Sequence, residues 1–255
     1  MKKILVGMVA AVAMTGSAFA ADMAVKARPV VAPVVAYSWS GCYIGGNVGG
    51  GWARTSQERV GVINVGPLPA INYGASDGSD FVGGGQIGCD YQFAGNWVIG
   101  IQGMYDYARI NSSHFLTAFP TFRSDIRTKD IWTVTGRVGY LFAPQLLGYV
   151  KGGGAWASVD YQVFQPGGLL LSETAYGVSR SGWTIGGGLE WMFAPGWSVF
   201  AEYNYMDFGH KDVAFVTTPP AVGNPDLVRT KLEVSTALVG VNYKFNFGGP
   251  VVAKY

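Results

Sequence analysis

Between Ser181 and Gly209 the chain alternates apolar side chains with small or polar ones over two long stretches. A period of two indicates β-strands, because only an extended chain sends successive side chains to opposite faces. The residues Ala194-Pro195-Gly196 separate the stretches and predict a tight turn, so this unit is expected to be a β-hairpin. The apolar parity of the hairpin holds Trp183, Ile185, Leu189, Trp191, Phe193, Trp197, Val199, Tyr203 and Tyr205.

The length of the two arms indicates a membrane. Each has about 13 residues, against roughly 5–6 in an ordinary strand. At about 3.3 Å per residue and a tilt of about 45°, such an arm rises about 30 Å, the thickness of a bilayer's hydrocarbon core. Aromatic residues at both ends of the apolar face resemble the two girdles of a membrane barrel. A long hairpin in a soluble sandwich is the alternative, and strand length and girdles favour the membrane.

Six more stretches with the same alternation bring the predicted count to eight strands. These are 41–54, 81–93, 97–109, 130–142, 147–160 and 231–247. Tight connections at 94–96, 143–146 and 194–196 alternate with long ones at 55–80, 110–129, 161–180 and 210–229. Short periplasmic turns alternating with long external loops are typical of outer-membrane barrels, whereas a sandwich has no reason to sort its connections. The sequence therefore predicts an all-β fold, an eight-stranded antiparallel up-and-down transmembrane β-barrel with four long external loops.

The segments outside the barrel have their own signatures. Residues 1–20 combine Lys2 and Lys3 with an apolar run and a small-x-small site, which predicts a secretory signal peptide cleaved after Ala20. Residues 21–40 predict an extended periplasmic linker of Pro, Ala and Val. The barrel is expected to occupy residues 41–247, with Phe247 as the aromatic residue of the terminal strand, followed by a short tail at 248–255.

Composition agrees with export to the bacterial outer membrane. The 255 residues are 49% hydrophobic and 13% charged, about half the usual charged fraction. No apolar run of transmembrane-helix length follows the leader, which suits a barrel. Without Lys2 and Lys3, the 16 remaining basic residues balance 16 acidic ones, so nothing supports a nucleic-acid partner.

Seven charged residues have the inward parity: Asp90, Asp106, Arg137, Lys151, Glu190, Glu202 and Lys244. One interpretation takes Glu190 and Glu202 as a carboxylate pair for acid–base catalysis. The other pairs them with Arg137 and Lys151 as a polar plug, since buried charges need partners. The plug is favoured, because no His, Ser or metal-binding cluster is expected beside them on that face. No catalytic, cofactor or metal site is therefore predicted.

The cysteines and histidines offer further candidates. Cys42 and Cys89 have the outward parity near the periplasmic ends of adjacent strands, and an oxidising export route favours a disulfide over two unpaired thiols. His114 and His210 fall in predicted external loops two and four. Solvated loop histidines are favoured over a haem- or metal-binding surface, because neither residue has ligand-type spacing around it.

Four segments carry a resemblance to a known family: GCYIGGNVGGGW at 41–52, GGGQIGCDYQF at 83–93, GNWVIGIQG at 95–103 and VGVNYKFNF at 239–247. They resemble the small outer-membrane β-barrel surface antigens of alphaproteobacteria, the rhizobial and brucellar type. Such proteins usually end on an aromatic residue that the assembly machinery reads. This chain instead continues past Phe247, so either Phe247 or Tyr255 serves that role, and Phe247 is preferred.

The resemblance implies an abundant barrel that contributes to envelope integrity and contacts hosts through its external loops, without catalysis. Implied partners are outer-membrane lipid and lipopolysaccharide, the barrel-assembly machinery, and a host surface or haemin. The alternative function is a narrow porin-like channel or a haemin-binding surface receptor, since relatives of both kinds exist. A membrane-embedded enzyme ranks third, because no nucleophile and base can be assigned.

Overall fold

The computed structural model describes residues 37–165, 171–217 and 224–245, and all regular elements in them are β-strands. The signal peptide with Ala20, residues 21–36 of the linker, and Phe247 with the tail lie outside the described residues. None of the described segments forms a helix that is long and apolar enough to cross a membrane. The strands are β1 (Gly41–Val62), β2 (Gly66–Phe93), β3 (Trp97–Phe115), β4 (Arg123–Ala143), β5 (Leu146–Phe164), β6 (Leu171–Ala194), β7 (Trp197–Ala214), β8 (Val216–Thr217) and β9 (Asp226–Phe245).

Eight of these strands close into a ring. Each pairs antiparallel with its neighbour along the chain, and β9 pairs with both β7 and β1. The seam that closes the ring joins β1 to β9. It begins with Cys42 opposite Phe245 and continues through Val48 opposite Val239. The two-residue β8 lies outside the ring and pairs only with the start of β6. The prediction of an eight-stranded up-and-down barrel is confirmed.

Side chains sort by parity as the alternation predicts. Ile101 and Phe142, both 68% exposed, face away from the lumen, and their chain neighbours Gln102 and Leu141 face inward and are buried. Exposed aromatics form two belts around the wall, because amphipathic rings favour the interfaces of a bilayer. The belt near the short turns contains Phe93, Trp97, Tyr140, Phe142, Trp191, Phe193, Trp197, Tyr243 and Phe245, and the other contains Trp52, Tyr107, Trp132, Trp156, Trp183 and Tyr203.

The four long connections differ from the prediction, because the strands run on beyond the second aromatic belt. The first predicted loop, 55–80, is almost entirely a hairpin: β1 continues to Val62, β2 begins at Gly66, and three residues turn between them. The strands likewise extend into the other three predicted loops: β3 ends at Phe115 and β4 begins at Arg123, β5 ends at Phe164 and β6 begins at Leu171, and β7 ends at Ala214 and β9 begins at Asp226. Outside the bilayer both faces of a strand tolerate polar residues, so the apolar alternation fades although the backbone pairing continues.

The interior also differs from a uniformly polar lumen. In the half nearer the long connections, inward side chains from all eight ring strands form one apolar cluster, and Val82, Ile131 and Leu232 in it have no exposed surface. The half nearer the short turns holds the larger group of buried charges, and the other half contains the buried Arg180, which donates to the Thr230 hydroxyl at 2.7 Å and to its carbonyl at 2.9 Å. The barrel therefore has a hydrophobic core of its own in addition to its lipid-facing surface.

Cys42 and Cys89 lie directly opposite each other on β1 and β2, and their sulfur atoms are joined in a disulfide. The bond closes a chain segment of 47 residues and faces outward near the short-turn end. The bond therefore links β1 covalently to β2, while hydrogen bonds along the closing seam join β1 to β9.

We predict that reducing this disulfide leaves the barrel folded but lowers its free energy of unfolding by about 2–4 kcal/mol, because a cross-link restricts the unfolded chain. Urea titration in lipid vesicles with and without reductant measures the difference. The double variant Cys42→Ser/Cys89→Ser should match the reduced protein and no longer respond to reductant. Two free thiols in the unreduced mature protein would contradict the bond.

Candidate functional site

The seven charged residues predicted to face inward all lie on the inward face of the ring and are buried. Asp90 comes from β2, Asp106 from β3, Arg137 from β4, Lys151 from β5, Glu190 from β6, Glu202 from β7 and Lys244 from β9. Inward-facing glycines on neighbouring strands leave room for these long side chains. A Cβ on Gly100, for example, would stand 2.2 Å from the Asp90 carboxylate. Six of the seven take part in ion pairs.

Arg137 is the centre of this charge network. Its guanidinium donates to both carboxylate oxygens of Asp90, through Nε at 2.7 Å and through Nη2, and its Nη1 donates to Glu190 at 3.1 Å. The planar group also lies between the rings of Tyr43 and Tyr149, 4.9 and 5.1 Å from their centroids. Bidentate pairing and aromatic stacking hold a guanidinium in one orientation.

Lys151 forms the second part of the network. Its ammonium donates to Glu202 at 2.8 Å and to Gln102 at 2.9 Å. Glu202 also accepts from the Tyr149 hydroxyl at 2.8 Å and from the Asn204 amide at 3.0 Å. Tyr149 also stacks on Arg137, so it contacts both parts of the network and connects them.

Lys244 connects the network to residues before the first strand. Its ammonium donates to Asp90 at 2.6 Å and to the Trp39 carbonyl at 3.0 Å, and it lies 5.0 Å from the Trp39 ring. The Trp39 indole has no exposed surface, donates to the Pro144 carbonyl at 3.1 Å and packs on Leu141. Residues 37–40 thus close the short-turn end of the lumen. Trp39 was missed in the sequence because a segment without alternation gives no sign of its position.

Asp106 is the exception among the predicted lumen charges. It is buried, it forms no ion pair within the described residues, and its Oδ1 has no hydrogen-bond partner there. The inward face contains four carboxyl groups and three cations, and Asp106 is the carboxyl group that has no cation beside it among the described residues.

Ser198 corrects the expectation that no serine stands beside the carboxylates. Its hydroxyl donates to Glu190 Oε1 at 2.6 Å, and the Asn242 amide donates to the same oxygen at 3.1 Å. Ser198 has the inward parity in the sequence, but a neutral hydroxyl gives no sign there of the carboxylate that it will contact. Glu190 has no exposed surface, and its two oxygens are occupied by Ser198, Asn242 and Arg137. This arrangement holds the lumen together and offers no carboxylate to a substrate.

A second candidate site lies at the opposite end of the barrel, where residues from all four predicted long loops line a cavity of about 240 Å³. Most of its wall is apolar, and four polar groups, Arg59, Tyr73, Glu173 and Asp226, converge on it. The wall consists of Gln57, Arg59, Tyr73, Leu116, Phe119, Phe122, Val163, Ser172, Glu173, Phe215, Asp226 and Val228. Sequence analysis missed this site, because its residues are scattered over predicted loops and only strand pairing brings them together.

Hydrogen bonds define the polar side of this cavity. The Tyr73 hydroxyl donates to the Asp226 carboxylate, and Arg59 Nη1 lies 4.0 Å from Asp226 Oδ1. The Asp226 backbone N–H lies 3.3 and 3.4 Å from the two oxygens of Glu173. Burial, and next the charge of Asp226, raise the pKa of Glu173 to about 7.

Both histidines were expected in external loops, but both lie on strands. His114, near the end of β3, is half-buried with Nε2 3.2 Å from the Tyr73 carbonyl, and burial lowers its pKa. His210, on β7, is exposed beside Arg229 and Lys231. Across the described ranges no three His, Cys, Asp or Glu side chains are grouped as metal ligands.

Comparison with known proteins gives consistent matches. The family described as "Outer membrane protein beta-barrel domain" matches residues 8–245. The 31 kDa outer-membrane immunogenic protein of Brucella melitensis is 30% identical over 254 residues, covering 96% of this chain and 100% of the relative. The 25 kDa outer-membrane immunogenic protein of Brucella abortus is 28% identical over 250 residues, covering 96% and 99%.

Similar solved structures include the outer membrane protein OprG of Pseudomonas aeruginosa, with a TM-score of 0.49 and 15% identity over 84% of this chain and 100% of that one. Ail of Yersinia pestis has a TM-score of 0.37 and 14% identity, covering 81% and 99%. Scores at this level carry no functional inference.

We predict that Arg137→Ala lowers the free energy of unfolding by about 3–5 kcal/mol, because it leaves Asp90 and Glu190 buried without their cation. Urea unfolding in lipid vesicles measures the loss. The matched control is Arg54→Ala, whose ion pair with Asp77 is solvent-exposed and therefore contributes little. Equal effects of the two substitutions would contradict a structural role for the lumen network.

Proposed function

The chain belongs to the outer membrane protein β-barrel family, and on that premise we propose that it is a sealed structural barrel of the bacterial outer membrane. In this role it contributes to envelope integrity and makes surface contacts, including contacts with a host, through its long connections. It performs no catalysis. The long connections face the exterior and the short turns face the periplasm, in keeping with their lengths.

The filled lumen is the observation that carries this proposal. Three successive layers occupy it: Trp39 at the short-turn end, the charge network around Arg137, and the apolar cluster that includes Ile131 and Leu232. An eight-stranded ring is narrow enough for side chains to fill. Ions would have to displace both a paired charge network and a packed, mostly apolar cluster, so a steady conduction path is disfavoured.

The same layers argue against the enzyme alternative. The inward carboxylates Glu190 and Glu202 are buried, and each accepts hydrogen bonds from several neighbours. A general acid or base must reach its substrate, and these groups have no free path to one. The relatives in Brucella are named for immunogenicity, which supports exposure of the long connections at the surface.

The outer wall supports contact with lipopolysaccharide. Beyond the second aromatic belt it carries charged pairs, such as Arg54 with Asp77 and Arg229 with Asp212, at the level of charged headgroups. Insertion itself would proceed through the barrel-assembly machinery. The haemin-receptor alternative has no comparable support, because the exposed His210 and the half-buried His114 line no common cavity among those described.

We predict that the refolded protein inserts into a planar bilayer without steady ohmic conductance. Trp39→Ala should also remain closed, because the apolar layer still blocks the lumen after the aromatic plug is removed. Folded insertion is verified by heat-modifiable migration on gels, and a reconstituted porin serves as the positive control. Discrete, voltage-independent openings of the wild-type protein would contradict the sealed barrel and favour the narrow channel.

A further inference from the structure

The cavity at the end of the barrel opposite the short turns plays no part in sealing the lumen, so a different role has to be sought for it. It lies outside the membrane, since Glu173 precedes Trp183 of the second aromatic belt by ten residues on β6. Each of the four predicted loop regions contributes to its wall: Arg59 and Tyr73 come from the first, Phe119 from the second, Glu173 from the third and Asp226 from the fourth. Most of these residues are on strand extensions, so pairing within the barrel brings them together.

Shape and size limit what the cavity can hold. A volume of about 240 Å³ is below the usual range for drug-sized ligands, yet larger than the roughly 150 Å³ cavity that accepts benzene. One aromatic ring with a short chain therefore fits. The buried Leu116, Phe215 and Val228 provide an apolar floor, and the Tyr73 and Phe119 rings meet edge-to-face with centroids 6.1 Å apart.

Charge limits the choice further. Asp226 is balanced by the Tyr73 hydroxyl and by Arg59. Among residues 37–165, 171–217 and 224–245, Glu173 accepts long hydrogen bonds from the Asp226 backbone N–H, at 3.3 and 3.4 Å, and no cation lies within ion-pair distance of it. The cavity thus presents two carboxylates against one guanidinium, and Glu173 is the carboxylate without a counter-ion. A ligand cation beside it would supply the missing charge and would also be attracted by the aromatic faces.

We propose that this cavity binds a small amphipathic cation, an arylalkyl- or alkylammonium, with its ammonium group on Glu173 and its apolar body against Leu116, Phe119 and Phe215. This site goes beyond the sealed structural barrel and does not depend on whether the lumen conducts.

Protonation of Glu173 competes with the ligand. With a pKa of about 7 the side chain is mostly neutral at pH 6 and mostly ionised at pH 8. The charged and titratable groups that face it are Asp226, Arg59 and Tyr73, and burial raises the pKa of Tyr73, so its hydroxyl stays neutral in this range. Affinity for an ammonium therefore rises between pH 6 and pH 8, by about tenfold for one titrating carboxyl.

Isothermal titration of the full chain in lipid nanodiscs tests the site, with empty nanodiscs subtracted for partition into lipid. The probes are 2-phenylethylammonium, 2-phenylethanol and 3-phenylpropionate, which share a ring and differ in charge. We expect one ammonium bound per barrel, at least tenfold weaker binding of the alcohol, and no binding of the carboxylate. Equal binding of the three probes, or no saturable binding of the ammonium, would overturn the proposal.

Two isosteric variants locate the charge. Glu173→Gln should weaken ammonium binding at least tenfold at pH 8 and abolish its pH dependence, because the amide neither ionises nor attracts a cation. Glu233→Gln, on the outer wall where Glu233 pairs with Lys231, should leave both unchanged. Heat-modifiable migration verifies that each variant is folded. Equal affinities of Glu173→Gln and wild type would refute the assignment, whatever the bilayer conductance shows.

Discussion

Pairing of every backbone amide is the constraint on which this structure depends. Hydrocarbon offers no hydrogen bonds, so a sheet that crosses a membrane must have no free edge. The seam between β1 and β9 removes the last edge, and its register is continuous from Cys42 opposite Phe245 to the bulge beyond Arg59. Once the ring closes, each side chain within the bilayer has one of two environments, lipid or lumen.

The small ring then determines the interior. Eight strands enclose an interior that side chains can largely fill, and the inward side chains of this ring pack against one another. The chain does this in two ways: a charge network around Arg137 near the short turns and an apolar core around Leu232 near the long connections. The apolar core continues to the floor of the cavity, where Val228 belongs to both. The residues that line the cavity are therefore held in place by the same packing that fills this half of the lumen.

Much of this could be predicted from the alternation of side chains. Within the bilayer the outward parity is apolar, so the tight turn at 94–96 and the inward position of Arg137 followed from the pattern. Beyond the bilayer the outward face becomes polar, and the extensions of β1 and β2 were lost to the prediction for that reason. The cavity could not be found at all, because Tyr73 and Asp226 are about 150 residues apart and only ring closure brings their side chains together. Trp39 was missed because its contacts, such as those with Pro144 and Lys244, are to residues far away in the sequence. No local pattern in the sequence shows such contacts.

Ring closure in the observed register is tested most directly by cross-linking the seam. In a Cys42→Ser/Cys89→Ser background, Val48→Cys with Val239→Cys places two thiols directly opposite on β1 and β9, both facing lipid. If the ring is closed in this register, mild oxidation in membranes forms an intramolecular disulfide rapidly. Val48→Cys with Val241→Cys, displaced by two residues along β9, should form little. Absence of the first cross-link, or its formation only between molecules, would contradict a closed barrel.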